Sequence, residues 1–267
     1  MTDLLETTTG TVGAVVSLPC LDAATVPAVS AAQMAAVDRL AEGEFGISLL
    51  AMMEQAGLHL AEAARILLGG DLRGRSVVIA AGPGNNGGGG LAAARHLANR
   101  GASVHVVLAR PALRLTDAAR HQLATLLAMR LTCCVNVYDL PGADLVETLD
   151  GANLIVDALL GYSLAGAPRG EVAELLRSLN FARRPILSLD LPSGLDPDTG
   201  QAPGDAIDAT ATLTLALPKT GLLTRSGRAQ AGRLFLGDLG LPAALYERLG
   251  LSVGTPFAAG SLVELAA

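Results

Sequence analysis

Aromatic residues make up 3% of this 267-residue chain, and tryptophan is missing altogether. A core made from such a sequence has to be aliphatic and alanine-rich, and the ring surfaces on which single-stranded nucleic acid stacks are scarce. Charge is thin as well, at 16% of residues against ~25% in an ordinary globular domain. Of that charge, 19 Lys and Arg stand against 25 Asp and Glu, a net of −6. Such a balance does not supply the counterion release that drives binding to a phosphate backbone, so no nucleic-acid partner is expected. Cysteine is rare, and Cys20, Cys133 and Cys134 lack metal-ligand spacing. Adjacent residues on a strand face opposite ways, so Cys133 and Cys134 read as core or edge positions in a reducing compartment. Charges such as Glu54 and Glu62 interrupt the apolar runs well short of the ~20 residues of a membrane span. Asp3 and Glu6 occupy the place of a signal peptide's basic region. The expectation is a soluble, cytoplasmic protein with no membrane partner.

What is abundant is aliphatic: hydrophobic residues reach 51%, which assures a sizeable core and argues against disorder. At ~150 residues per domain the length allows one large α/β domain. Residues 1–28, rich in Thr, Val and Ala, show no sustained period and read as an N-terminal extension without chemistry. Ser30 and Gln33 match a capping box, predicting a helix to about Ala41. A second helix is predicted from Ser48 to Leu68, with Met52 and Met53 read as core gap-fillers. From residue 76 short apolar runs alternate with helical ones. Strands are predicted at Ser76–Ala81, Ser103–Leu108, Thr132–Tyr138, Leu154–Leu159, Ile186–Leu191 and Ala211–Leu217. Helices are predicted near Gly88–Asn99, Asp117–Met129, Ala143–Leu149 and Glu171–Leu179. Continuously apolar strands separated by helices imply a mostly parallel sheet covered on both faces, a Rossmann-like three-layer α/β/α sandwich. One domain over residues 29–250, with residues 251–267 as a tail packed on it, is the expected division.

Ligands of such sheets bind beyond the carboxyl ends of the strands. The first strand runs into Gly82-Pro83-Gly84-Asn85-Asn86-Gly87-Gly88-Gly89-Gly90 and then a helix. Glycines permit positive φ and close backbone approach, and a helix N-terminus favours an anion, so a phosphorylated ligand is expected there. Asp157 ends the fourth strand inside an apolar run, where a carboxylate needs a partner or a cation. The loop after it, 161–169, reads as a ligand-covering segment. Asp190 ends the fifth strand before Pro192-Ser193-Gly194, and Lys219 follows the last, either balancing an anionic group or solvated. His59, His96, His105 and His121 show no ligand spacing.

The Gly82–Gly90 run, Val156-Asp157 with its Gly161 loop, Asp190-Leu-Pro-Ser-Gly194, Pro218-Lys219 and the upstream Leu49-to-Gly57 segment resemble the NAD(P)H-hydrate epimerase family, also called the YjeF N-terminal domain family. The similarity covers about residues 29 to 240 in the family's order. It implies an isomerase that interconverts the R and S epimers of hydrated NADH or NADPH in cofactor repair, as a homodimer. By resemblance, Asn85, Asn86, Gly87, Gly88, Gly89, Gly161, Tyr162, Ser163, Leu164, Ala165, Gly166, Ala167 and Asp190 contact the substrate. The same resemblance implies that Asn86, Asp157 and Ser193 ligate a potassium ion, and their amide, carboxylate and hydroxyl oxygens suit a hard cation. Asp190 is the candidate for the proton-transfer group. The family pattern has Asp where this chain has Gly89, which removes a carboxylate from the ligand-binding segment.

Two other readings stay open on the residues. A non-catalytic dinucleotide-binding or interaction module of the same fold would accommodate Gly89. An ordinary NAD(P)-dependent oxidoreductase is disfavoured by Arg110, where an acid would meet a ribose hydroxyl, and by the absence of a Tyr-x-x-x-Lys pair. With so little chain after residue 250, no fused dehydratase domain is expected.

Overall fold

The computed structural model describes residues 18–130, 134–136, 142–163 and 166–266, so Cys133, Leu164, Ala165 and residues 1–17 lie outside it. Among the described residues the chain runs β1 (Cys20–Asp22), α1 (Ala31–Gly43), α2 (Leu49–Leu67), β2 (Ser76–Ala81), α3 (Asn85–Asn99), β3 (Ser103–Leu108), α4 (Asp117–Ala128) and β4 (Cys134–Asn136). It continues with α5 (Gly142–Asp150), β5 (Leu154–Ala158), α6 (Gly170–Phe181), β6 (Ile186–Leu189) and β7 (Ala211–Leu215). The last elements are α7 (Arg225–Ala231), β8 (Arg233–Gly237), α8 (Ala243–Glu247) and β9 (Leu262–Ala266). The strands form one sheet in the order β1-β9-β8-β7-β6-β5-β2-β3-β4. Every pairing is parallel except β8 with β9.

The three-layer sandwich predicted from the alternation is what the chain adopts. Alternate residues of β2 point to opposite faces: Val77, Ile79 and Ala81 pack under α2, α3 and α4, and Val78 and Ala80 pack under α5 and α6. A third cluster joins α1 and α8 to Leu234, Leu236 and Val263. Each fully buried Leu or Val contributes about 1.5–3 kcal/mol. Strand order reverses between β2 and β5, and that switch point puts the loops after these two strands side by side.

Three of the boundaries that differ from the sequence reading, those of α3, β6 and β7, have a plain physical reason. Helix α3 starts at Asn85, not near Gly88, so the glycine run belongs to the helix. Four consecutive glycines in a helix cost roughly 1 kcal/mol each in propensity, and packing overrides this. A methyl at Gly88 would fall 2.6 Å from the Met53 sulfur, and one at Gly90 would fall 2.5 Å from the Ala158 Cβ. Gly57 on α2 is equally tight, its absent methyl 2.6 Å from the Ala92 Cβ. None of the six glycines from 82 to 90 has positive φ, so close approach, not backbone freedom, explains all of them but Gly84.

Strands β6 and β7 stop two residues early, at Leu189 and Leu215. Asp190 (φ +71°) and Ala216 (φ +61°) turn the chain out of the sheet. In each turn the following amide bonds back two residues, Leu191 N to Leu189 O at 2.9 Å and Leu217 N to Leu215 O at 2.7 Å. These are γ-turns of the strained kind. Strands β1, β8 and β9 were not anticipated. They are short, and β1 comes from the segment read as an extension, while β9 comes from the tail.

Gly82→Ala pushes a methyl into the Leu159 carbonyl oxygen, whereas at Gly84 nothing lies within 4 Å. The expected outcome is a loss of about 1–3 kcal/mol or more for Gly82→Ala. Gly84→Ala should stay within about 1 kcal/mol. Urea midpoints of the two variants check this.

Candidate active site

The switch point opens into a cavity of about 580 Å³, within the usual ~300–1,000 Å³ of ligand pockets. Its polar wall comes from the loops after β2, β5, β6 and β7: Asn85 and Asn86, Gly161 to Ser163, Asp190 and Lys219. Its apolar wall comes from Leu49, Met52, Met53 and Ala56 of α2 with Leu189, Leu215 and Leu239. Met52 and Met53, read as core, are buried and also line the cavity.

Helix α3 begins at this wall. Its N-cap Gly84 offers no side-chain acceptor, so a 15-residue helix meets the cavity wall with no side-chain cap on its first-turn amides. Gly89 lines the cavity one turn in. A Cβ there would lie 2.9 Å from the Leu189 Cδ2, so this chain's Leu189 occupies space that a larger residue would need.

Lys219 is the only lysine of the chain and is 1% exposed. Its ammonium forms an ion pair with Asp190 Oδ1 and donates to Leu215 O at 3.1 Å and Thr214 Oγ1 at 3.4 Å. Three protons thus meet three acceptors. The solvated alternative considered for Lys219 does not hold, and the cation next to Asp190 is this ammonium. The other carboxylate oxygen, Oδ2, accepts from the Tyr162 amide at 3.0 Å. The turn at Asp190 aims its carboxylate at the cavity, and the turn at Ala216 frees the Leu215 carbonyl for Lys219. Strain of this kind, of order 1–3 kcal/mol per residue, is typical of functional positions.

Asp157 is fully buried beneath this layer. It accepts from Ser193 Oγ (2.6 Å), Ser188 Oγ (2.8 Å), Ser193 N (2.9 Å) and Leu159 N (3.2 Å). Burial pushes its carboxyl pKa up and these bonds pull it back. Among the described residues it forms no ion pair. Ser193 Oγ also accepts from Leu160 N at 2.9 Å. The Asn86 side-chain nitrogen is buried without a partner. A Cβ on Gly161 would sit 3.4 Å from Asn86 and 3.2 Å from Asp190 Oδ2, so Gly161 separates the two.

The structure therefore brings Asn85, Asn86, Gly89, Gly161, Tyr162, Ser163 and Asp190 to one cavity. Asp157 and Ser193 meet behind its wall. Gly87 and Gly88 face protein: a Cβ on Gly87 would run into the Gly82 backbone, and Gly88 packs on Met53. Gly166 and Ala167 are not among the lining residues, Ala167 lying beside Gly204. Sequence reasoning missed Met34 and Asp38 of α1, and Thr116. Asp38 stands four residues after Met34 on the stripe that also holds Val37 and Ala41, and an acid on an apolar stripe was its signal. Lys219 had a plainer signal in being the single lysine.

A sequence profile of the YjeF-related protein N-terminus matches residues 49–221. The chain belongs to this family. An NAD(P)H-hydrate epimerase of Dehalogenimonas lykanthroporepellens is 45% identical over 88% of this chain and 91% of its own length. One from Limosilactobacillus fermentum is 35% identical over 80% and 97%. A bifunctional NAD(P)H-hydrate repair enzyme of Moorella thermoacetica is 41% identical over 81% of this chain, which spans only 41% of that relative. The crystal structure of yeast ynu0 superposes with a TM-score of 0.77 at 26% identity, over 90% of this chain and all of that one. Family membership accounts for the order of the motifs, and no described helix is long and apolar enough to cross a membrane.

Lys219→Met leaves a buried, unpaired carboxylate at Asp190 and is expected to cost about 3–5 kcal/mol. Adding Asp190→Asn removes that charge and should recover at least half of the loss, read from denaturant unfolding of the single and double variants.

Proposed function

We propose that the chain is an NAD(P)H-hydrate epimerase, interconverting the R and S forms of hydrated NADH or NADPH. The observation that carries this reading is the Asp190 carboxylate, held ion-paired to Lys219 at a cavity beside an uncapped helix N-terminus. The names of the relatives supply the substrate class. Amides at the start of α3 suit the pyrophosphate, and Asn85, Asn86, Gly89 and Gly161 to Ser163 are the members of the family's contact set that line the cavity.

The carbon that inverts carries a hydroxyl and the ring nitrogen. Proton removal from the hydroxyl lets the carbon–nitrogen bond break to an open-chain aldehyde, the nitrogen taking up a proton. Reclosure on the other face gives the opposite epimer. Asp190 is the base: Lys219 and the Tyr162 amide anchor its two oxygens at the cavity. Lys219 has its protons committed to three acceptors and serves to orient and charge-balance Asp190.

Potassium is the proposed ion, with Asn86, Asp157 and Ser193 as its protein ligands. Their oxygens suit a hard cation, Asp157 is a buried carboxylate with no ion pair among the described residues, and a half-turn of the Asn86 amide places oxygen where its nitrogen lacks a partner. Bound there, it supplies a positive charge behind the substrate wall. We place the protein in the cytoplasm as a homodimer by family resemblance.

A second reading, a binding module without turnover, is favoured by Gly89, where the lost carboxylate removes a hydroxyl contact of about 1–3 kcal/mol.

Chromatography of separated epimers of hydrated NADH tests the proposal. Wild type mixes them, and Asp190→Asn, which keeps an oxygen acceptor for Lys219, stays folded and loses about 10²–10⁴-fold in rate. Binding without mixing by wild type gives the module reading instead. Exchanging potassium for tetramethylammonium is expected to lower both the turnover and the urea midpoint of wild type. Unchanged values in both remove the ion from the proposal.

A further inference from the structure

Tyr162 touches three charged groups with three different parts of itself. Its amide donates to Asp190 Oδ2 at 3.0 Å, its ring centroid lies 5.9 Å from the Lys219 ammonium, and its phenol donates to Asp38 Oδ2 on α1. Burial pushes the phenol pKa well up, so it remains a donor and does not act as a base. Asp38 is itself half-buried, and burial raises its carboxyl pKa while the phenol's bond lowers it. Beyond Tyr162 the loop opens outward: Ser163 and Gly166 are exposed, and a Cβ on Gly166 would meet nothing within 4 Å.

α1 is delivered to this place by backbone pairing. Val29 N donates to Pro218 O and Thr220 N donates to Val29 O, both at 2.9 Å, which lays the start of α1 alongside Lys219. Asp38 and Lys219 therefore approach Tyr162 from two segments stitched to each other, and the tyrosine closes the ring of contacts.

We propose that Asp38 is a positioning residue: by holding the Tyr162 phenol it fixes the tyrosine amide and ring, and through them the orientation of the Asp190–Lys219 pair. This deepens the epimerase reading and rests on it for the rate, but not for the geometry. The phenol needs an acceptor and not a charge, so an uncharged acceptor at position 38 suffices.

Because Lys219 is the only lysine, protein grown on [13Cε]lysine gives one labelled methylene that reports on the pair directly. Asp38→Ala and Tyr162→Phe are each expected to shift that resonance and to lower kcat more than they raise KM, by about 10- to 100-fold, the cost of a small misplacement of a reacting group. The double variant loses no more than the worse single one. Asp38→Asn returns the resonance toward its wild-type position and restores most of kcat. An unshifted resonance in Asp38→Ala, multiplicative losses in the double variant, or an Asp38→Asn as impaired as Asp38→Ala each overturns the proposal. If Asp38→Ala fails to fold by thermal melting, Tyr162→Phe and Asp38→Asn decide alone. A wild type without turnover sinks the epimerase reading, and the lysine resonance still decides whether Asp38 positions the pair.

Discussion

The ammonium of Lys219 has been taken out of water, and its three protons have to be placed on protein oxygen. Without those partners a buried charge costs several kcal/mol, which is a large part of the stability of a domain this size. The surroundings of the cavity are arranged by that requirement. β7 ends in a strained turn that frees the Leu215 carbonyl, Thr214 turns its hydroxyl the same way, and β6 ends in a matching turn that presents Asp190. The result is a carboxylate with a fixed partner and a fixed direction, sited where four strands end.

A second constraint is closeness. The α2–α3 and α3–β5 approaches are too short for side chains at Gly57, Gly88 and Gly90. Bringing α3 this near to the sheet sets its N-terminus against the cavity, so a packing requirement and an uncapped helix end at the site come from one stretch of glycines. The same closeness explains Gly89, since Leu189 already fills the room beside it.

Much of the fold could be read directly. The continuous apolar runs at Ser76–Ala81 and Ser103–Leu108 were recovered to the residue, because a parallel strand buried on both faces leaves no ambiguity of pattern. The ends of β6 and β7 could not, since Leu191 and Leu217 are as apolar as the strand itself and only the positive φ at Asp190 and Ala216 stops it. β9 was invisible because a five-residue strand gains its identity from its two partners, β8 at 25 or more residues away and β1 near the other end of the chain.

By itself the sequence determined the alternation of elements, the aliphatic core, the family and the cluster of polar residues at strand ends, since these follow from local pattern and order. Only the tertiary structure decided that the sole lysine is buried and paired with Asp190, and that Asp157 is closed in by serines beneath the wall. It alone also decided that Asp38 reaches Tyr162 across 124 positions of chain. Charge pairing and hydrogen bonding act over a few ångströms of space, and that distance does not exist until the sheet has brought the strands side by side.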